Sequence, residues 1–121
     1  MHYNLKLQDK VKLIMSVIVN FLKIVGWKDH WLAKMSTSEV LCLAVVAGMD
    51  NGNNHEKTLV EFENQKVFNH ILSKSQFGRK LEPVADYIPI LVEQLAISVE
   101  GVLGDKFPLK QIEKNIYKID L

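Results

Sequence analysis

Apolar residues recur every three or four positions near the start of the chain, which is the spacing of one face of an α-helix. They predict a helix over residues 8–25, and Gly26 is placed to cap its carboxyl end. The apolar positions are Val11, Ile14, Met15, Ile18, Val19, Phe21, Leu22 and Val25.

A second helix is predicted over residues 37–49. Ser36 and Glu39 have the spacing of a capping box, in which each side chain accepts a backbone N–H of the first turn. The helix is apolar nearly all round, so we expect it at the centre of the core. Cys42 is the one cysteine of the chain and falls within this helix, where a buried hydrophobe is favoured over a reactive thiol.

The Asn- and Gly-rich residues 50–54 interrupt the pattern, because both residue types tolerate positive φ. We expect a more polar helix over residues 55–65 and another short turn of helix over residues 67–72. Ser73 and Gln76 repeat the capping-box spacing and begin a further helix. The two short helices and the tight connection between them predict a helix-turn-helix-like pair.

Two prolines punctuate the following segment. Pro83 suits the first turn of a helix over residues 83–102, and Pro89 should kink or divide that helix. Residues 107–121 fit either a helix or a short strand, and we favour helix because their apolar and lysine patterns share its period. The expected fold is therefore all-α: one compact multi-helix domain over residues 1–121.

Composition narrows the class of protein. The chain has 121 residues, 24% of them charged, with a net charge of +1, so no partner is demanded by charge alone. Lysines and polar residues interrupt the apolar stretches, so we expect no membrane span and a cytoplasmic protein. Trp27, Trp31 and the slightly positive mean hydropathy leave a homodimer open.

The residue types needed for catalysis are sparse. None of the four histidines has a second histidine three or four positions away, and the single cysteine has no CxxC partner, so no metal site or other cofactor is expected. No nucleophile motif or phosphate-binding loop occurs. Paired carboxylates such as Glu61 and Glu63 are typical of a solvated helix face. We therefore predict that the chain is not an enzyme.

The segment after Ser73 is the first candidate for binding. Lys74, Gln76, Arg79 and Lys80 are residue types that contact phosphates and base edges, and Arg79 is the single arginine of the chain. A short capped helix that presents them could enter a major groove as a recognition helix does. The alternative is an ordinary solvated amphipathic helix.

The second candidate is a lysine stripe near the carboxyl end. Lys106, Lys110, Lys114 and Lys118 lie four residues apart, on one side of a predicted helix. The first three are predicted, with the residues of the Ser73 helix, to bind nucleic acid by neutralising phosphates. A solvated helix face is again the alternative.

Three segments together resemble the DDE transposases of small bacterial insertion sequences, family 982. Residues 35–41 (M-S-T-S-E-V-L) resemble that family's L-S-x-S-E start, and residues 72–81 (L-S-K-S-Q-F-G-R-K-L) resemble its S-x-S-x-F-x-R-[RK]-L helix. Residues 104–109 (G-D-K-F-P-L) resemble its I-D-S-F-P-[VL] segment. The three occur in the family's order, over about residues 32–119.

The resemblance implies a transposase N-terminal region that helps bind the DNA of the element's ends. Asp105 matches the first of three metal-binding carboxylates, but Lys106 replaces the family's serine, Gly104 replaces a β-branched residue, and the other two carboxylates have no counterpart. Two-metal chemistry needs several convergent carboxylates. The resemblance therefore implies a region truncated before most of the catalytic core.

These observations predict a DNA-binding helical module, derived from a transposase N-terminal region, without catalytic activity of its own. Its partner would be duplex DNA. The alternative is a protein-interaction or inhibitor module, such as a small mobile-element or phage protein that blocks a host nuclease. An active nuclease would need carboxylates supplied by another chain.

Overall fold

The computed structural model describes the backbone of residues 6–29 and 33–103 and the side chains of residues 6–29 and 33–95. These residues form five α-helices and one short 3-10 helix, without a strand, so the predicted all-α class is confirmed for them. The predicted helix over residues 107–121 lies outside the described residues. The α-helices are α1 (Leu7–Val25), α2 (Thr37–Asp50), α3 (His55–Asn64), α4 (Lys74–Leu81) and α5 (Tyr87–Leu103), and the 3-10 helix is Glu82–Val84.

Helix α2 forms the centre of the molecule, as its sequence predicts. Every residue from Val40 to Met49 is buried, and the helix contacts α1, α3, α4 and α5. Its first turn is closed by the predicted capping box: the backbone N–H of Glu39 donates to the Ser36 hydroxyl at 3.1 Å, and the backbone N–H of Ser36 donates to the Glu39 carboxylate at 2.8 Å.

Helix α1 is amphipathic and buries one stripe against the centre. Val11, Ile14, Ile18, Phe21 and Leu22 are its buried residues. Gly26 adopts a left-handed conformation (φ 75°) after the last turn, and the next backbone N–H, that of Trp27, donates to the Leu22 carbonyl at 3.0 Å. This is a Schellman ending, for which glycine has no steric penalty.

Helix α3 begins at an Asn cap and ends without a glycine. The Asn54 side chain accepts the backbone N–H of Lys57 at 2.9 Å. At the other end Lys66 adopts φ 52°, and the Val67 N–H donates to the Phe62 carbonyl at 3.1 Å. The chain thus makes a Schellman ending with a lysine in the left-handed position, and α3 stops there.

The predicted short helix over residues 67–72 is wrong. This segment is not helical, although Val67, Phe68, Ile71 and Leu72 pack against the core. Nine residues therefore separate α3 from α4, residues 65–73, whereas a helix-turn-helix uses a turn of three or four residues. The helix-turn-helix detail is not confirmed.

The long helix predicted over residues 83–102 is divided, and the division precedes Pro89. Pro83 lies in the 3-10 helix, Ala85 and Asp86 form a turn, and α5 starts at Tyr87. Pro89 is the third residue of α5, where a helix leaves its N–H groups unpaired in any case. The start of α5 meets the end of α1, since the Tyr87 ring makes edge contacts with Phe21 and Trp27 at centroid distances of 5.1 and 6.2 Å.

Candidate nucleic-acid interface

Helix α4 presents one face to the core and the other to solvent. Phe77 and Leu81 are fully buried, whereas Lys74, Gln76 and Arg79 are exposed. Its sequence contains three cationic residues and no carboxylate. The helix is therefore a short basic element anchored by two apolar side chains.

The side chain of Gln76 is engaged in capping α4. Its Oε1 accepts the backbone N–H of Ser73 at 3.3 Å, and its own backbone N–H donates to the Ser73 hydroxyl at the same distance. The predicted capping box is thus confirmed. Because only the amide oxygen is used, the Gln76 NH₂ group keeps its two donors for an external acceptor.

Lys74 lies beside a carboxylate of the preceding helix. Its Nζ is 3.6 Å from Oε2 of Glu56, and both side chains are 70% exposed. An ion pair as exposed as this contributes little to stability and separates readily. Lys74 is therefore accessible, but its charge is partly balanced.

The guanidinium of Arg79 is exposed and stays on its own helix. Its Nε lies 3.4 Å from the carbonyl oxygen of Ser75, one turn earlier, and no carboxylate lies within 4.0 Å of it among the residues that the structure describes. The terminal nitrogens can therefore bind an external ligand without first breaking an ion pair.

Lys80 turns inward instead of projecting from the surface. It is half-buried, and its ammonium group donates to the backbone carbonyl of Met35, just before α2. This contact joins α4 to the start of the central helix. Sequence reasoning placed Lys80 among the nucleic-acid contacts, and its internal contact makes it the weakest of the four residues of α4 for that role.

A polar cluster that sequence reasoning missed lies around the start of α2. Asp29 accepts the Thr37 N–H at 3.0 Å and also the Thr37 hydroxyl, and the indole N–H of Trp27 donates to that hydroxyl at 2.9 Å. The Trp27 indole N–H also lies 3.4 Å from Oδ1 of Asp29. Burial raises the pKa of Asp29, but the hydrogen bonds from Thr37 and Trp27 and the charge of Lys80 outweigh it, so the pKa lies below its ordinary value.

The cluster of Trp27, Asp29 and Thr37 has a structural role. It ties the chain that leaves α1 to the first turn of α2, and Thr37 is a buried residue. The residues are up to ten positions apart, so no local sequence pattern predicted that they would form a cluster. A carboxylate that carries its charge more readily than usual is suited to accepting these hydrogen bonds, not to acting as a base at neutral pH.

The second predicted group of contacts cannot be placed beside α4. Lys106, Lys110 and Lys114 lie outside the described residues, as does Asp105. Helix α4 carries Lys74, Gln76 and Arg79 as exposed residues and directs Lys80 toward Met35. The relation of these residues to the lysine stripe stays a prediction.

The described part of the chain contains no group of three or more His, Cys, Asp or Glu side chains arranged to hold a metal ion. Burial, and then the charge of Glu39, raise the pKa of the Cys42 thiol well above its usual range, as expected for a core cysteine. An open cavity of about 440 Å³ lies along the connection after α3, lined by Glu63, Lys66, Phe68, Asn69, His70 and Ile71.

Comparison with known proteins gives no relative. No family model matches the chain, and no curated protein or solved structure is significantly similar to it. Within the described helices, none is both long enough and apolar enough to cross a bilayer.

Proposed function

We propose that this chain is a non-catalytic helical module that binds duplex DNA through the exposed face of α4. The observation that carries the proposal is the state of Arg79, whose exposed guanidinium has no carboxylate partner among the described residues. An exposed arginine on a helix without carboxylates is suited to phosphate or guanine recognition.

The proposed interface includes fewer residues than the sequence analysis predicted. Arg79 and Lys74 supply the charge, and the free NH₂ of Gln76 supplies hydrogen bonds. Lys80 is not included in the interface, because its ammonium group contacts the Met35 carbonyl. Lys106, Lys110 and Lys114 would add phosphate contacts if they lie near α4. Descent from a transposase N-terminal region and a cytoplasmic location belong to the same proposal.

The test is a titration of the full chain into a fluorescently labelled duplex of about 20 base pairs, followed by anisotropy at several salt concentrations. We expect affinity to fall steeply as salt rises, because bound lysine and arginine residues release counterions from the DNA. Arg79→Ala should weaken binding by roughly tenfold, in line with ~1–3 kcal/mol for one good contact.

Lys57→Ala is the matched control, since Lys57 is an exposed cation on α3. It removes the same charge from the molecule and should change the affinity much less than Arg79→Ala does. Equal losses in the two variants would reduce the effect to net charge. Binding that is absent, or unchanged between low and high salt, would contradict the proposal.

A second candidate function is protein interaction, including the inhibition of a host nuclease. It is favoured by a shallow apolar groove on the outer side of α1, lined by Lys12, Met15, Ser16, Val19, Asn20 and Lys23. The DNA interface proposed above lies on α4 and does not include this groove. A partner protein that binds there at high salt, without nucleic acid, would favour this second function.

A further inference from the structure

The outer face of α1 carries an apolar strip between two lysines. Met15 and Val19 lie one turn apart, and Val19 is 46% exposed although it is a large aliphatic residue. Lys12 and Lys23 lie beyond them at the two ends. With Ser16 and Asn20 these residues line a shallow, widely open depression of about 470 Å³ on one face of the helix, which we call the α1 groove.

The α1 groove is about as long as a short helix. Its residues recur at three- and four-residue spacing from Lys12 to Lys23, a rise of roughly 16 Å, or three helical turns. Helices pack by placing side chains into such grooves at interaxial distances of ~8–10 Å. An amphipathic helix could therefore lie along α1 and cover Met15 and Val19.

The two end lysines are not neutralised within the described residues. Lys10, two residues before Lys12, is paired with Asp50 at 3.1 Å, but neither Lys12 nor Lys23 has a carboxylate within 4.0 Å among the described residues. Asp9, on the first turn of α1, also makes no ion pair with Lys12. The groove therefore presents positive charge at both ends.

This charge pattern disfavours a second copy of the chain as the occupant. Two α1 grooves packed antiparallel about their centres would set each Lys12 opposite the Lys23 of the other copy. Like charges facing each other across an interface select against that pairing. The chain's own residues 104–121 contain four lysines and three carboxylates, so their net charge does not complement Lys12 and Lys23.

We propose that the α1 groove docks an amphipathic helical segment of another protein, with apolar residues toward Met15 and Val19 and a carboxylate near each end. The carboxylates would pair with Lys12 and Lys23, and the apolar side would remove Val19 from water. Helix-in-groove binding of this kind uses apolar anchors three or four residues apart, with charge setting partner choice.

The experiment uses the full chain and three designed helical peptides of about 15 residues, with leucines on one face. One carries glutamates about eleven positions apart, the second carries lysines at those positions, and the third carries glutamates on a scrambled apolar pattern. Backbone amide shifts in NMR locate the binding, and the same titrations give relative affinities.

We expect the glutamate peptide to bind, with shift changes centred on Met15 and Val19, and the scrambled peptide to bind at least tenfold more weakly because its anchors are misplaced. Lys12→Glu/Lys23→Glu should lose roughly tenfold in affinity for the glutamate peptide and gain affinity for the lysine peptide. This reversal tests the two lysines directly, and it requires only that the variant keeps the melting temperature of the natural chain.

Lys34→Glu/Lys57→Glu is the matched control, because it changes the net charge equally at exposed positions that do not line the groove. This variant should retain its preference for the glutamate peptide. Failure of the reversal, or shift changes centred outside α1, would overturn the proposal. So would equal competition by duplex DNA or by anionic lipid vesicles, since those partners would need charge alone.

Discussion

His55 is a described residue whose surroundings make stability depend on pH in the mildly acidic range. It begins α3, its ring makes an edge contact with Phe77 of α4 at 5.2 Å, and its buried Nε2 has no hydrogen-bond partner. Burial, and then the positive charge of Lys74, lower the pKa of His55 below its ordinary 6.5. A protonated imidazole at a helix amino terminus is also opposed by the helix dipole.

We predict that the free energy of unfolding falls as pH is lowered below about 6.5, the value in the unfolded chain. Below that pH the unfolded chain binds a proton at His55 more readily than the folded chain does. The free energy of unfolding therefore decreases until the pH has passed below the folded pKa, with a slope of at most ~1.4 kcal/mol per pH unit. Urea unfolding at several pH values measures this loss. His55→Phe keeps the ring contact and should flatten the curve over that range. Identical pH profiles for the two proteins would show that His55 is not responsible.

At the scale of the helices, the two capping boxes differ in burial and in geometry. The box of α2 is half-buried with bonds of 2.8 and 3.1 Å, whereas the box of α4 is exposed with bonds of 3.3 Å. Water can replace a lost bond at α4 but reaches α2 less easily. Capping residues therefore contribute unequally in the same chain.

We expect Ser36→Ala to lower the free energy of unfolding by about 1–2 kcal/mol and Ser73→Ala by about 0.5–1 kcal/mol. Chemical denaturation of the two variants measures both losses. Ser75→Ala is the control, because Ser75 is exposed within α4 and alanine favours helix, so its effect should be small and of either sign. A loss for Ser73→Ala equal to that for Ser36→Ala would contradict the role assigned to burial.

Features set by neighbouring residues were predictable from the sequence. Both capping boxes, the Gly26 ending of α1 and the buried character of α2 follow from spacings of a few residues. The end of α3 was not predictable, because Lys66 adopts a left-handed conformation there, where glycine is usual. Residues 67–72 then pack on the core without a helix, so their apolar spacing misled the prediction.

In the candidate site, too, local features were predictable from the sequence and long-range contacts were not. The exposure of Arg79 followed from the helical period of α4. The contact of Lys80 with Met35 joins residues 45 positions apart, and Asp29 reaches Thr37 from a different segment, so neither could be found without the tertiary structure. Long-range polar contacts are where a periodic pattern carries least information.

For the molecule as a whole, the central position of α2 determines how substitutions act. On α1 the stability lost on substitution should depend on which face of the helix the residue occupies, since Ile18 is fully buried and its neighbour Val19 is 46% exposed. On α2 no outer face exists among the core residues: Leu41 and Leu43 point in different directions around the helix, and both are fully buried. The packing of every described α-helix therefore depends on one element.

We predict that Leu41→Ala and Leu43→Ala each lower the free energy of unfolding by about 2–5 kcal/mol, because each leaves a cavity in a core that cannot fully collapse. Val19→Ala should change it by less than about 0.5 kcal/mol, as for most surface substitutions. Urea denaturation monitored by circular dichroism measures all three, and an unchanged denaturant slope shows that the transition stays two-state. If either leucine variant were as stable as Val19→Ala, one side of α2 would have to face solvent, and the arrangement of helices around it would have to be different.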